Sequence, residues 1–111
     1  MKLIDLANAL HLDVKAGQDL LEREVTGGYA GDLLSDVLAN SKEGNVWITL
    51  HTHVNIVAVA SAKELAGIII VNRRMPEAET LRRAEEEGIP IMITSMSTYE
   101  AVCRSYDLGV K

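Results

Sequence analysis

Leu3, Leu6, Ala7 and Leu10 recur at helical spacing and predict a short helix from Leu3 to Leu10. Leu12, Val14 and Ala16 alternate with polar residues up to Gly17, the pattern of a short strand. Asp19 to Glu22 reads as a turn. Alternation resumes from Arg23 to Tyr29 and predicts a strand that ends or bulges at Gly27-Gly28. From Asp32 to Ala39, the apolar Leu33, Leu34, Val37 and Leu38 make one helical stripe, with Asp32 placed to cap its first turn.

The second half is more regular. Val46-Trp47-Ile48-Thr49-Leu50 is rich in strand formers and follows the turn-like Gly44-Asn45. Val54 to Leu65 is nearly all apolar, and its interleaved alanines and its length favour helix. Such a helix must be sandwiched or covered by a second subunit. Gly67-Ile68-Ile69-Ile70-Val71 is the continuous β-branched run of a strand buried on both faces. Pro76 opens a helix to Glu87, with Glu77 and Glu79 in its first turn and Gly88 as its stop. Its narrow apolar stripe (Ala78, Leu81, Ala84) places it on the outside. Ile89 to Thr94 is a further short strand, and Ser97 or Thr98 caps a last helix that runs through Leu108 to Gly109. From residue 46 onward, strands and helices alternate, which suits parallel pairing with right-handed crossovers. The expected fold is α/β, a mainly parallel sheet with helices on both faces.

The sequence has 111 residues, 11 Lys and Arg, 16 Asp and Glu, a net charge of −5 and a single Cys. That length fits one domain spanning residues 1–111 and allows a core without metal or disulfide staples. Nucleic acid is not an expected partner, because duplex affinity comes from basic residues neutralising phosphates. A lone Cys forms no internal disulfide, so a reducing cytoplasm is the expected compartment. Asp5 interrupts the apolar stretch that a secretory signal requires, and no apolar run approaches the roughly 20 residues of a membrane span.

In a parallel sheet, ligands bind beyond the carboxyl ends of the strands, where loops meet helix N-termini. His51, Thr52 and His53, with Asn55 just inside the next helix, follow one strand. Arg73 and Arg74 follow another, and Thr94, Ser95, Ser97 and Thr98 a third. The Gly27-to-Gly31 segment is expected as a loop before a helix as well. A small anion is the ligand this set suits, although the hydroxyls equally suit helix caps. His51-x-His53 lacks the third and fourth ligands a zinc site needs, so no metal or other cofactor is expected. There is no P-loop and no nucleophile elbow, Cys103 reads as a packed thiol, and no catalytic residue is assigned.

The segment from Glu24 to Leu38 resembles the signature region of the DRTGG domain. The agreement continues through Val46 to Leu50, His53 to Val59, Leu65 to Ile69 and Gly88 to Pro90. Thr26, Gly27 and Gly28 match the name-giving motif, while Glu24 and Val25 stand where it has Asp and Arg. The resemblance implies a fold like the N-terminal domain of HPr kinase, which is not that enzyme's catalytic part. Such domains also occur between CBS domains of certain inorganic pyrophosphatases and within some phosphotransacetylases, as regulatory or dimer-forming inserts. The expectation is therefore a non-enzymatic regulatory module that homodimerises and binds a small anionic metabolite or nucleotide. Its site would draw on Thr26, Gly27, Gly28, His51, His53, Asn55, Arg73, Arg74, Thr94, Ser95 and Ser97. One alternative is a protein-interaction subunit of a partner enzyme with no small-molecule ligand. Another is a small metal-assisted hydrolase using His51, His53 and Asp32 or Asp36.

Overall fold

In a computed structural model describing residues 1–111, helix α1 (Leu3–Ala9) leads into strand β1 (Asp13–Ala16) and a 3-10 turn at Gln18–Leu20. Then follow β2 (Gly27–Ala30), α2 (Leu34–Asn40), β3 (Asn45–Thr49), α3 (Asn55–Lys63), β4 (Gly67–Ile70), α4 (Ala78–Glu87), β5 (Ile91–Ile93) and α5 (Thr98–Asp107). The five strands form one sheet in the order β1-β5-β4-β3-β2. β2 to β5 are parallel, and β1 joins the β5 edge antiparallel, with Asp13 opposite Ile93.

Because β2, β3, β4 and β5 step across the sheet in one direction, right-handed crossovers place α2, α3 and α4 on the same face. The side chains record this. Ile68 and Ile70 of β4 pack in a cluster with Val37, Ile56 and Ala84 from those three helices. Ile69, between them in sequence, points the other way into a cluster with Leu3 and Leu6 of α1 and Ala101 of α5. Successive strand residues facing opposite layers require apolar side chains at every position, hence the uninterrupted isoleucines.

Five expectations need correction. Cys103, expected as a packed thiol, is exposed on α5. The alternating stretch from Arg23 is not a strand until Gly27, because Arg23 and Val25 bond to the start of α1 instead, as in Leu3 N to Arg23 O and Val25 N to Met1 O. Gly27-Gly28 is then neither a strand end nor a loop but the first half of β2. Asp32 does not cap α2; Leu33 is its cap residue, and no side chain serves there. On α4, Glu77 is the cap rather than part of the first turn, and the buried stripe is Thr80 and Ala84, with Ala78 exposed. The apolar α3 resolves to a sandwich within the chain. It lies on the sheet between α2 and α4, burying Ile56, Val57, Val59 and Ala60 and showing solvent Ala58 and Ala62.

Candidate functional site

The carboxyl ends of β2 to β5 meet on one rim, where the loops 31–33, 50–54, 71–77 and 94–97 gather. The chain leaves β4 toward the α4 face and leaves β5 toward the α5 face, so the loops at these adjacent strands part in opposite directions. This parting opens a crevice, the place where parallel sheets hold ligands. A cleft of about 500 Å³ lies there, lined by Arg73, Thr94, Ser95 and Met96 from the two loops and by Glu100 and Arg104 from α5. Ile93 of β5 and Leu10, His11 and Asp13 complete it, the last three brought in by the antiparallel β1.

The loop after β4 is held in an unusual shape. Asn72 and Arg73 both adopt left-handed backbone, with φ of 60° and 57°. Each left-handed residue other than Gly costs about 1–2 kcal/mol. Two hydrogen bonds hold the pair in place, from Asn72 N to Met96 O and from Arg73 N to Thr94 O, both 2.9 Å. The Thr94 hydroxyl accepts from Met96 N at 3.2 Å, and Ser97 caps α5 by accepting from Glu100 N at 3.2 Å. Arg73 forms no ion pair. Arg104 donates to Met96 Sδ at 3.8 Å and has Glu100 at 3.9 Å as its one ion pair, and Asp13 is engaged by Lys15 at 3.0 Å. The guanidinium groups lining the cleft therefore keep donors free for an anion.

The other half of the rim is more occupied with its own structure. Asp32 Oδ1 accepts from Thr49 Oγ1 at 2.8 Å and from Leu50 N at 2.7 Å, and the Asp32 carbonyl is bonded to His51 Nε2. His53 Nδ1 accepts from Asn55 N at 3.2 Å, which satisfies an amide at the start of α3. Thr52 O receives Thr80 Oγ1 at 2.7 Å and Glu77 N at 3.2 Å, tying this loop to α4. A shallower pocket of about 260 Å³ remains among Asp32, Leu50, His51, Thr52, His53 and Arg74. The consecutive arginines thus divide: Arg73 lines the cleft at β4 and β5, and Arg74 the pocket beside the histidines.

Thr26, Gly27 and Gly28 are not part of this rim. Gly27 and Gly28 begin β2 and Thr26 directly precedes it, and the carboxyl rim lies past the strand's other end. Thr26 is tied to the turn before β3, with its hydroxyl donating to Glu43 O at 2.7 Å and its amide to Gly44 O at 3.0 Å. The two glycines admit the chain's last residues. A Cβ on Gly28 would sit 3.3 Å from Val110 Cγ1, and one on Gly27 would sit 3.5 Å from the Lys111 carbonyl carbon. The motif serves close packing at this edge and does not converge with the arginines. The sequence reading also missed His11, Asp13, Glu100 and Arg104. An antiparallel β1 beside β5 was the missing link, and no local signal in residues 11–16 specifies that pairing.

Of the set proposed for a metal-assisted hydrolase, Asp32, His51 and His53 line one pocket, but no three His, Cys, Asp or Glu side chains are grouped so that they could hold a metal ion. Asp36 accepts from the Tyr29 phenol and from Asn40 Nδ2 at 2.9 Å, apart from the histidines. The hydrogen bond to that carboxylate, helped by burial, raises the Tyr29 phenol above its ordinary pKa.

The chain matches no protein-family model and no curated protein. Among solved structures its fold matches part of the structure of the CBS and DRTGG domains of the regulatory region of Clostridium perfringens pyrophosphatase, which is complexed with the activator diadenosine tetraphosphate. The TM-score is 0.68 at 13% identity, and the match covers 90% of this chain and 44% of that one. The likeness therefore supports the α/β architecture, and the chain spans less than half of that region's length. No helix here is long and apolar enough to cross a membrane.

Proposed function

We propose that this chain is a single DRTGG-type domain acting as a non-enzymatic regulatory module, which binds a small anionic metabolite or nucleotide and works as a homodimer in a reducing cytoplasm. The observation that carries the ligand reading is the cleft between the carboxyl ends of β4 and β5. Arg73 forms no ion pair there, Arg104 has only a distant one, and both line the same crevice with the Thr94 and Ser95 hydroxyls. Guanidinium groups with unspent donors bind phosphates and carboxylates strongly, and the first turn of α5 adds a partial positive charge. The resemblance of Glu24 to Leu38 to the DRTGG signature and the shared fold with a regulatory region support the regulatory part.

Thermal unfolding of the whole chain with inorganic phosphate, pyrophosphate, AMP, ATP and diadenosine tetraphosphate tests this reading. A true ligand at 100 times its Kd adds about 2.7 kcal/mol of stability. The added stability should disappear in Arg73→Ala and in Arg104→Ala and persist in Arg83→Ala on the outer face of α4. Absence of a response to every one of these anions refutes the reading.

A further inference from the structure

The side of α5 turned away from the anion cleft carries a second cavity of different character. Glu100 and Arg104 line the cleft, whereas Ser105 and Tyr106 line a slot of about 200 Å³ between α5 and the sheet. Its floor belongs to β2 and β3, where Gly28 pairs with Val46 and Ala30 with Ile48. Alternation along the strands sends these four residues to one face. Tyr29 and Trp47, between them in sequence, pack on the other. Gly28 and Ala30 carry no side chain long enough to reach α5, so the space above them stays open. Val110 bounds it at the Gly28 end, where a Cβ on Gly28 would lie 3.3 Å from Val110 Cγ1. Seven of the ten residues around the slot are hydrophobic, against three of ten around the cleft, so the two cavities suit different ligands.

One group in these walls is unsatisfied. Ser105 is 3% exposed, and its hydroxyl has no hydrogen-bond partner. No other buried side-chain nitrogen or oxygen of the chain is left in that condition. A buried hydroxyl without a partner costs free energy that an alanine would not, which calls for a partner from outside the chain.

We propose that this slot binds a small single-ring phenol, with the ring lying on β2 and β3 beside Tyr106 and the hydroxyl paired with Ser105. Size sets the first limit. Apolar cavities of about 150 Å³ take up benzene, and drug-sized ligands need roughly 300 Å³ or more. A slot of about 200 Å³ therefore admits one ring with a short substituent. The wall favours an aromatic ring. Tyr106 offers aromatic contact, and the Lys111 ammonium lies 4.9 Å from the centre of the Tyr106 ring, a positive charge that a second electron-rich ring can share. Ser105 sets the substituent, because a phenolic hydroxyl can donate to its oxygen or accept from it. None of these residues serves the anion cleft, so the two sites stand or fall separately.

Titration of the full nitrogen-labelled chain with phenol and p-cresol, followed by two-dimensional NMR, tests the proposal, with far-UV circular dichroism confirming the fold of each variant. Saturable shifts should centre on Ala30, Val46, Ser105 and Tyr106. Toluene keeps the ring and lacks the hydroxyl, cyclohexanol keeps the hydroxyl and lacks the aromatic face, and each should bind at least tenfold more weakly than phenol. Ser105→Ala should reduce phenol to the affinity of toluene while raising the thermal midpoint of the free chain. Ala30→Leu should fill the slot and abolish binding, and Arg73→Ala should leave phenol binding unchanged. Absence of saturable shifts at millimolar phenol overturns the proposal. So do shifts centred on Arg73 and Thr94, equal affinity for phenol and toluene, or a Ser105→Ala chain less stable than the wild type. A response to phosphate without phenol binding would refute this site and leave the anion reading standing.

Discussion

Arg73 combines a left-handed backbone with a guanidinium that has no ionic partner, and these two properties oppose each other in stability. Glycine adopts φ near 57° without the Cβ penalty, at the cost of a more flexible unfolded chain. Arg73→Gly should therefore stabilise the unliganded protein by about 0.5–1 kcal/mol while abolishing its response to anions. Urea denaturation with and without phosphate checks both effects, and a destabilised variant would show that the arginine side chain has structural contacts to lose. Asp32 carries a different lesson. Its place before a helix suggested a cap, yet its carboxylate reaches the end of β3, because the strand pairing of β2 and β3 brings Thr49 and Leu50 within 2.8 Å. A capping residue is recognised from local order, and a contact across strands is not.

At the scale of elements, helix starts act as the anchors of the rim. Thr80 in the first turn of α4 is fully buried, and its hydroxyl holds the Thr52 carbonyl between the two histidines. Thr80→Val keeps the shape and removes this bond, leaving Thr52 O with Glu77 N alone. The expected cost is about 1–2 kcal/mol. In amide hydrogen exchange, the segment from His51 to Asn55 should lose protection while β4 and β5 keep theirs. Uniform loss across the sheet would mean the bond supports the core rather than the loop. The boundaries of α1, α3, α4 and α5 were legible to within two or three residues, α1 from its periodic stripe, α3 from its alanine-rich apolar run, and α4 and α5 from a recognisable stop, such as Gly88 with φ 72°. β2 was the least legible element. Its two glycines read as a break, whereas they are strand residues whose missing Cβ atoms make room for Val110 and Lys111.

At the scale of the whole molecule, the sheet divides the core into two clusters that share no side chains but share the strands. Ile68 and Ile69 are adjacent in sequence and fully buried on opposite faces. Ile68→Ala and Ile69→Ala should each cost about 2–5 kcal/mol. Because the strands link the two layers, unfolding should remain one transition, with the fluorescence of Trp47 and far-UV circular dichroism coinciding in both variants. Separate midpoints would mean that the two helix layers melt independently, contrary to a single domain.

Periodicity, β-branched runs and stop residues are local properties, and through them the sequence alone determined the alternation of strands and helices, the mainly parallel sheet and the position of His51, Arg73 and Thr94 just beyond strand ends. The antiparallel docking of β1, which brings His11 and Asp13 to the cleft, was decided by tertiary structure. So was the placement of Thr26, Gly27 and Gly28 away from it, with Val110 and Lys111 packed on the two glycines. Each of these depends on which strand lies beside which. That choice is made by packing energies summed over residues far apart in the chain, and it leaves no periodic trace in any one segment.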